Sequence, residues 1–399
     1  MKKPTKRYKR IFIVFVSAFL GVILLAGAIF GAVSIVRESR SVMKYKGVYL
    51  NSGVSNYLIS SYKYDFMIAL KSKGIVCRDT ESFWQSEARD GQTYGEMLAD
   101  ETALYLKRVI IGSYLFDKNT RLNKNDKDVI EKAVEDVLIY RADGDKAKFN
   151  DLSRDMGFTY SDFEKAAEML YKYEMAESVI FGFDGEALAS GSFTLQCDEY
   201  FEKSFSRVML MFVRTDGEYV TNPETGKQEF SKYDESLKAK AEAEIDEIRT
   251  LIYNAENNVQ EEQMSATSFV DWYINKKYPT GTVNDTSGYY FSRYSSYTNE
   301  FYKDASSIVE LAFSTEIGHY AEAVLDFGVC FIYRCELEEG AYQRDSIKHF
   351  FGDFYDDAAT YLYFEAIDFY LPDVTVKEKY DHSSVIGIPY NQEFSIKFG

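Results

Sequence analysis

The chain has 399 residues, with 46 Lys and Arg against 63 Asp and Glu, and a net charge of −17 at neutral pH. A surface this acidic repels nucleic acid and anionic lipid and excludes a polyanion-binding role. Five prolines and an aromatic content of 16%, with 33 tyrosines and 30 phenylalanines, exclude a disordered chain; the length allows two or three domains.

The first ten residues form a basic segment with Lys2, Lys3, Lys6, Arg7, Lys9 and Arg10. Residues 11–36 follow as 26 uncharged positions, Ile11 to Val36. Such a run is long enough to cross a bilayer, and the basic flank predicts a cytoplasmic N-terminus with the bulk of the chain outside the cytoplasm. The expectation is a single-pass cell-membrane protein held through residues 11–36. The charge asymmetry is modest, because Arg37, Arg40, Lys44 and Lys46 follow the run. The alternative is a cleaved signal peptide, with Ala26-Gly27-Ala28 as its small-x-small site, although that site lies inside the run.

From Ser52 to Phe183 the spacing is helical. Thr93-x-x-Glu96 reads as a capping box ahead of Met97, Leu98, Leu104, Tyr105 and Val109. Asn125 precedes Val129, Ile130, Ala133, Val137 and Leu138 on one helical face, and Ser161-x-x-Glu164 reads as a second box before Phe163, Ala167, Leu170 and Tyr173. The expectation is an all-helical module. At about Gln196 the pattern changes. Arg207 to Val213 predicts a buried strand. Thr215 to Tyr233 predicts a polar loop with turns at Asn222-Pro223 and Thr225-Gly226. A helix is expected over Ser236 to Asn257, another from Ser268 to Trp272, and a turn-rich aromatic stretch over Thr280 to Ser296. A short helix over Ile308 to Phe313 and strands at Ala321 to Val324 and Gly328 to Tyr333 complete a β-α-α-α-β-β order. After Ser346 the chain returns to helix through Phe350, Phe354, Ala358, Tyr361, Leu362 and Ile367, and stops before Pro372.

Cys77, Cys197, Cys330 and Cys335 have no metal-ligand spacing and read as small buried thiols, with disulfides left open by an exported location. GxGxxG, Walker, GxSxG and HExxH motifs are all missing. No metal and no small-molecule cofactor is implied.

Residues 205–335 carry a series of motifs in a fixed order. Arg207-Val208-Met209-Leu210 sits where a strand of the form His-Ile-Leu opens the parvulin-type peptidyl-prolyl isomerase domain. Leu237 to Ile245 matches its Ala/Lys/Glu helix, and Ser268 to Tyr273 its second helix. Asp285-Thr-Ser-Gly-Tyr-Tyr-Phe291 echoes its Gly-Asp-Leu-Gly-Tyr-Phe turn. Ile308 to Gly318 echoes its pocket helix, and Phe327-Gly-Val-Cys-Phe-Ile332 its closing strand. The segment resembles that family, and residues 45–370 as a whole resemble a SurA/PrsA-type foldase.

The resemblance implies an α+β chain with this organisation: basic segment 1–10, transmembrane helix 11–36, helical chaperone-like module 45–200, parvulin-like domain 201–340, and a helical C-terminal tail 341–399 packed on the helical module. It places a peptide site around Ile308, Phe313, Met209, Met211, Tyr289 and Phe291, with Tyr171, Tyr173, Tyr290, Tyr294 and Tyr297 as further aromatic contacts. It implies unfolded or nascent exported polypeptides as partners.

The departures concern catalysis. The family's two active-site histidines fall at Val208 and Cys330, and the chain's own histidines, His319, His349 and His382, match no family position. The family's pocket Phe and Met fall at Ile308 and Asp304. Valine cannot hydrogen-bond and a thiol donates weakly, so the usual isomerase catalysis is expected to be absent or poor. Three readings stay open: a chaperone or foldase-like binder, an isomerase with a rearranged set of Cys330, Asp285 and Ser287, and a non-catalytic envelope scaffold using its acidic face and tail Thr375 to Gly399.

Overall fold

The structure, a computed structural model, describes residues 41–89, 91–191, 193–257, 288–293, 296–378 and 380–398. Two compact units divide the chain: Met1–Ile180 with Tyr363–Gly399, and Phe181–Leu362.

In the first unit, β1 (Ser41–Tyr45) and β2 (Val48–Asn51) form an antiparallel hairpin. A late strand, β11 (Thr375–Val376), pairs with the other side of β1. Helix α1 (Ser52–Ser72) starts where the Asn51 side chain accepts from the Val54 N–H at 2.8 Å. A helical turn α2 (Glu81–Trp84) and a ribbon of β3 (Glu87–Arg89) and β4 (Gln92–Thr93) lead into α3 (Tyr94–Asn119). Then come α4 (Lys124–Ala142), α5 (Lys146–Ser153) and α6 (Tyr160–Phe181).

The tail completes this core. Tyr57 lies edge-on to Phe158 and Phe163 at 5.3 and 5.1 Å and donates its hydroxyl to the Phe394 carbonyl at 3.0 Å. The Phe394 ring packs 4.6 Å from that of Phe149. Lys63 is fully buried and satisfied: its ammonium donates to the Ile386 and Ile388 carbonyls at 2.8 Å, pairs with Asp79 at 2.7 Å and lies over Trp84. A buried charge is tolerated only with such a complete set of partners.

In the second unit, α7 (Glu186–Ala189) and α8 (Thr194–Ser204) precede β5 (Phe205–Arg214). A hairpin follows, β6 (Gly217–Thr221) with β7 (Gln228–Lys232), then α9 (Glu235–Glu256), β8 (Tyr289–Ser292), α10 (Ser296–Ser314), β9 (Tyr320–Leu325) and β10 (Gly328–Cys335). The last helix, α11 (Phe354–Tyr370), carries the chain out of the unit. Strands β8-β5-β10-β9 make one antiparallel sheet in that order. The period-2 alternation of β5 fills both faces: Met209, Met211 and Val213 pack with Ala241, Ile245 and Ile248 of α9, and Val208 packs with Ile308, Val309 and Ala312 of α10. Gly288 enters β8 at φ +74, where an added Cβ would stand 2.8 Å from the Val208 carbonyl oxygen.

Four expectations are corrected. The transmembrane helix at residues 11–36 lies outside the described residues. Among the described residues no helix is long and apolar enough to cross a membrane, and the fold they make is mostly helical α+β. The first module is not all-helical, because β1, β2 and β11 form a sheet within it. The stretch Thr215 to Tyr233 is a hairpin rather than a loop. Strand β8 adds a β to the expected β-α-α-α-β-β order, and its four residues come from the stretch read as turn-rich. The helix expected from Ser268 lies outside the described residues. Residues 181–200 and 341–362 cluster with the second unit.

α4 starts under a reciprocal Asn123–Asp126 cap. One cap also shifts. α6 opens on a reciprocal Thr159–Asp162 pair, two residues before the expected Ser161–Glu164.

Candidate functional site

The two positions that the resemblance assigns to catalysis lie on the α10-facing side of the sheet. Val208 and Cys330 are 0% and 1% exposed, inside the cluster of Phe291, Ile308, Val309, Ala312 and Ile332. They are not neighbours. Val208 pairs with Arg334 and Cys330 with Phe212, four register positions apart, which is about 13 Å along a strand. Burial pushes the Cys330 thiol up to about 12, so it is neither a nucleophile nor a proton-transfer group near neutral pH. The residue across from Val208 is more polar. The Arg334 guanidinium donates to the Ala312 carbonyl near the end of α10, as does the Ser206 hydroxyl, and both cap that helix's free carbonyls. These contacts stabilise a helix end and supply no group aimed at a substrate. Asp285, Ser287 and Tyr294 lie outside the described residues.

The expected peptide-site residues divide between the two faces. Met209 and Met211 are buried against α9, whereas Phe291 on the opposite face of the sheet is buried with Ile308 of α10, with Phe313 of the same helix partly buried beside them. Tyr289 is the exposed member, at 37%, with its ring stacked over Phe291 at 6.5 Å. The structure therefore does not gather the six into one pocket. Tyr290 is fully buried. Tyr171 is buried on α6 and donates its hydroxyl to Asp126 at 2.8 Å, while Tyr173 accepts at its carbonyl from the Tyr363 hydroxyl.

A groove of about 540 Å³ opens instead along α4 and α6 in the first unit. Leu122, Ile130, Val134 and Leu138 give it an apolar floor, and Tyr160 closes one side. Glu131, Glu135, Glu164 and Glu168 rim it against Lys127 and Lys146. The Lys146 ammonium sits 4.3 Å from the centre of the Tyr160 ring and 3.9 Å from Glu164. Burial and then Glu164 push the Tyr160 hydroxyl up to about 12, so it stays neutral. An apolar floor within an acid-rich rim favours an extended segment that mixes apolar and basic side chains.

The sequence shows the face built from Ile130 and Leu138 but not that it lines an open groove. Helical periodicity marks an apolar stripe and says nothing of what covers it. The available signal was the row of acids beside the stripe, Glu131 and Glu135 one turn apart, on a face otherwise fit for a core.

No protein-family model and no curated protein matches the chain. Similarity among solved structures is found to PrsA from Bacillus subtilis, at 14% identity and a TM-score of 0.19, covering 75% of this chain and 94% of that one. The foldase protein PrsA from Lactococcus lactis is similar at 13% identity and a TM-score of 0.17, covering 75% and 96%. At such scores the folds do not superpose as wholes, and the functional reading rests on this chain's own residues.

Proposed function

We propose that this protein is a foldase-like chaperone that holds extended segments of unfolded, exported polypeptides without catalysing prolyl isomerisation. The α4–α6 groove carries the reading: a concave site of about 540 Å³ with an apolar floor of Leu122, Ile130, Val134 and Leu138, rimmed by four glutamates and two lysines. A concave apolar floor framed by charge is what a binder of unfolded chain requires. The basic cluster and uncharged run of residues 2–36 support an exported location. The burial of Val208 and Cys330 supports the absence of catalysis, because lowering a barrier of about 20 kcal/mol needs positioned polar groups.

The test uses the double variant Glu131→Lys/Glu135→Lys, whose positions are exposed. Each reversal is worth about 0.5–1 kcal/mol at such a site. Affinity for an unfolded basic, apolar peptide should fall roughly tenfold, with the thermal midpoint kept. Suppression of aggregation of an unfolded client should weaken in parallel. Equal binding by wild type and variant would remove the groove from the function, and prolyl isomerisation clearly above the uncatalysed rate would overturn the non-catalytic part.

A further inference from the structure

Three tyrosines from separate elements of the first unit meet around one cation. Tyr45 ends β1, Tyr114 lies on α3 and Tyr370 ends α11. Tyr45 and Tyr114 stand 5.0 Å apart at 88°, Tyr114 and Tyr370 6.3 Å apart at 82°, and Tyr45 and Tyr370 5.8 Å apart at 44°. Tyr114 therefore stands steeply to the other two rings, which are tilted to each other, and the three rings bound one site. The Lys46 ammonium lies 5.1, 5.4 and 5.0 Å from their centres. All three distances are within cation–π range. At about 5 Å there is room for a methyl group between the nitrogen and each ring.

The occupant reaches the cage at a cost. Lys46 and Gly47 make the two-residue turn between β1 and β2, with φ 38 and 92. A left-handed residue at the first central position of such a turn is normally Asn, Asp or Gly, and a lysine there is strained. The strained lysine is the one whose ammonium enters the cage. The Tyr45 hydroxyl beside it, with the other two tyrosines, holds that ammonium above its ordinary value.

We propose that the Tyr45–Tyr114–Tyr370 cage is a binding site for a quaternary ammonium group of the choline class, and that Lys46 is its built-in competitor. The strained turn holds a primary ammonium in a cage wide enough for a methylated one. The site is independent of the peptide groove.

The test is Lys46→Asn, which empties the cage and installs the Asn-Gly pair that this turn prefers. Binding of tetramethylammonium and choline is measured by calorimetry at constant ionic strength, with sodium as the control. Lys46→Asn should bind at least tenfold more tightly than wild type, and adding Tyr114→Leu should abolish the gain. Tyr114 is only half-buried, and thermal melts of each variant verify that it folds. Phosphatidylcholine vesicles against phosphatidylglycerol vesicles separate the sources: binding of free choline alone supports a soluble ligand, and binding of the choline vesicles as well supports a lipid headgroup. Affinity of Lys46→Asn no better than wild type, or unchanged by Tyr114→Leu, overturns the proposal.

Discussion

At the scale of single residues, chemistry is decided by burial. All four cysteines are free and buried. Burial pushes the Cys330 thiol up to about 12 and, with Asp198 adding to it, the Cys197 thiol up to about 11. Attack by a thiol requires the thiolate. The folded protein at pH 7.5 should therefore show no fast reaction with a colorimetric disulfide reagent, and all four thiols should react once urea unfolds it. A rapid stoichiometric reaction in the native state would mean that at least one thiol is reachable. Asp357 is shifted in the sense unusual for a carboxyl. Although it sits in the first turn of α11, burial and then Asp356 and Asp353 push it up to about 6. The folded state therefore binds its proton more tightly than the unfolded chain does. The stability this provides is fully present below about pH 4 and is lost as pH rises through about 6. The group is half-buried, so solvent screening reduces its worth to about 1 kcal/mol. In urea titrations, Asp357→Asn should flatten the fall in stability between pH 4 and 6.5 by that amount; an unchanged slope would place the titration elsewhere.

At the scale of elements, the sequence was legible where one face is buried and the other is not. The α9 helix and strands β5 and β10 were read nearly to their ends, because their apolar positions recur at the proper period. The Thr93–Glu96 capping box holds in both directions. At the start of α6 two polar pairs with the same three-residue spacing compete, and sequence gives no means of ranking Thr159–Asp162 against Ser161–Glu164. The β6–β7 hairpin was read as loop for a physical reason: apart from Gly217, every residue of its two strands is exposed, so neither face carries an alternating pattern. The site was less legible than the fold. A motif alignment placed catalytic positions at Val208 and Cys330, and only the strand register shows them to be four positions apart.

An exposed two-stranded hairpin is marginal by itself. Local contacts hold this one: Tyr219 packs on Phe230 at 5.3 Å, and the Arg214 guanidinium lies 5.6 and 5.2 Å from those rings while pairing with Asp216. Glu218 and Ser231 are cross-strand partners, so an Asn-Gly pair can join them after Tyr219–Phe230 is removed. That deletion should change unfolding free energy by less than about 1 kcal/mol, since it uncovers little core. A loss of several kcal/mol in urea titration would show that the hairpin shields apolar surface.

At the scale of the whole molecule, the two units differ in how the chain builds them. Phe181–Leu362 is continuous, and its sheet, α9 and α10 all come from within it. The other unit is assembled from two distant stretches. The late stretch supplies strand β11, the Ile386 and Ile388 carbonyls that satisfy the Lys63 ammonium, and the Phe394 ring between Phe149 and Phe158. Removing it would leave a buried lysine short of two acceptors and a hole the size of a phenylalanine. The first defect costs about 1–3 kcal/mol for each lost partner and the second about 3–5 kcal/mol, together comparable to the whole stability of a typical domain. Residues 181–362 expressed alone should therefore unfold cooperatively in urea with near-native circular dichroism, whereas residues 41–180 alone should not. Adding residues 363–399 back through a flexible linker should restore a cooperative transition to the second fragment. A cooperative transition in residues 41–180 without the tail would mean that the helices reach a stable core before Phe394 arrives, and that the return of the chain serves a surface rather than the interior.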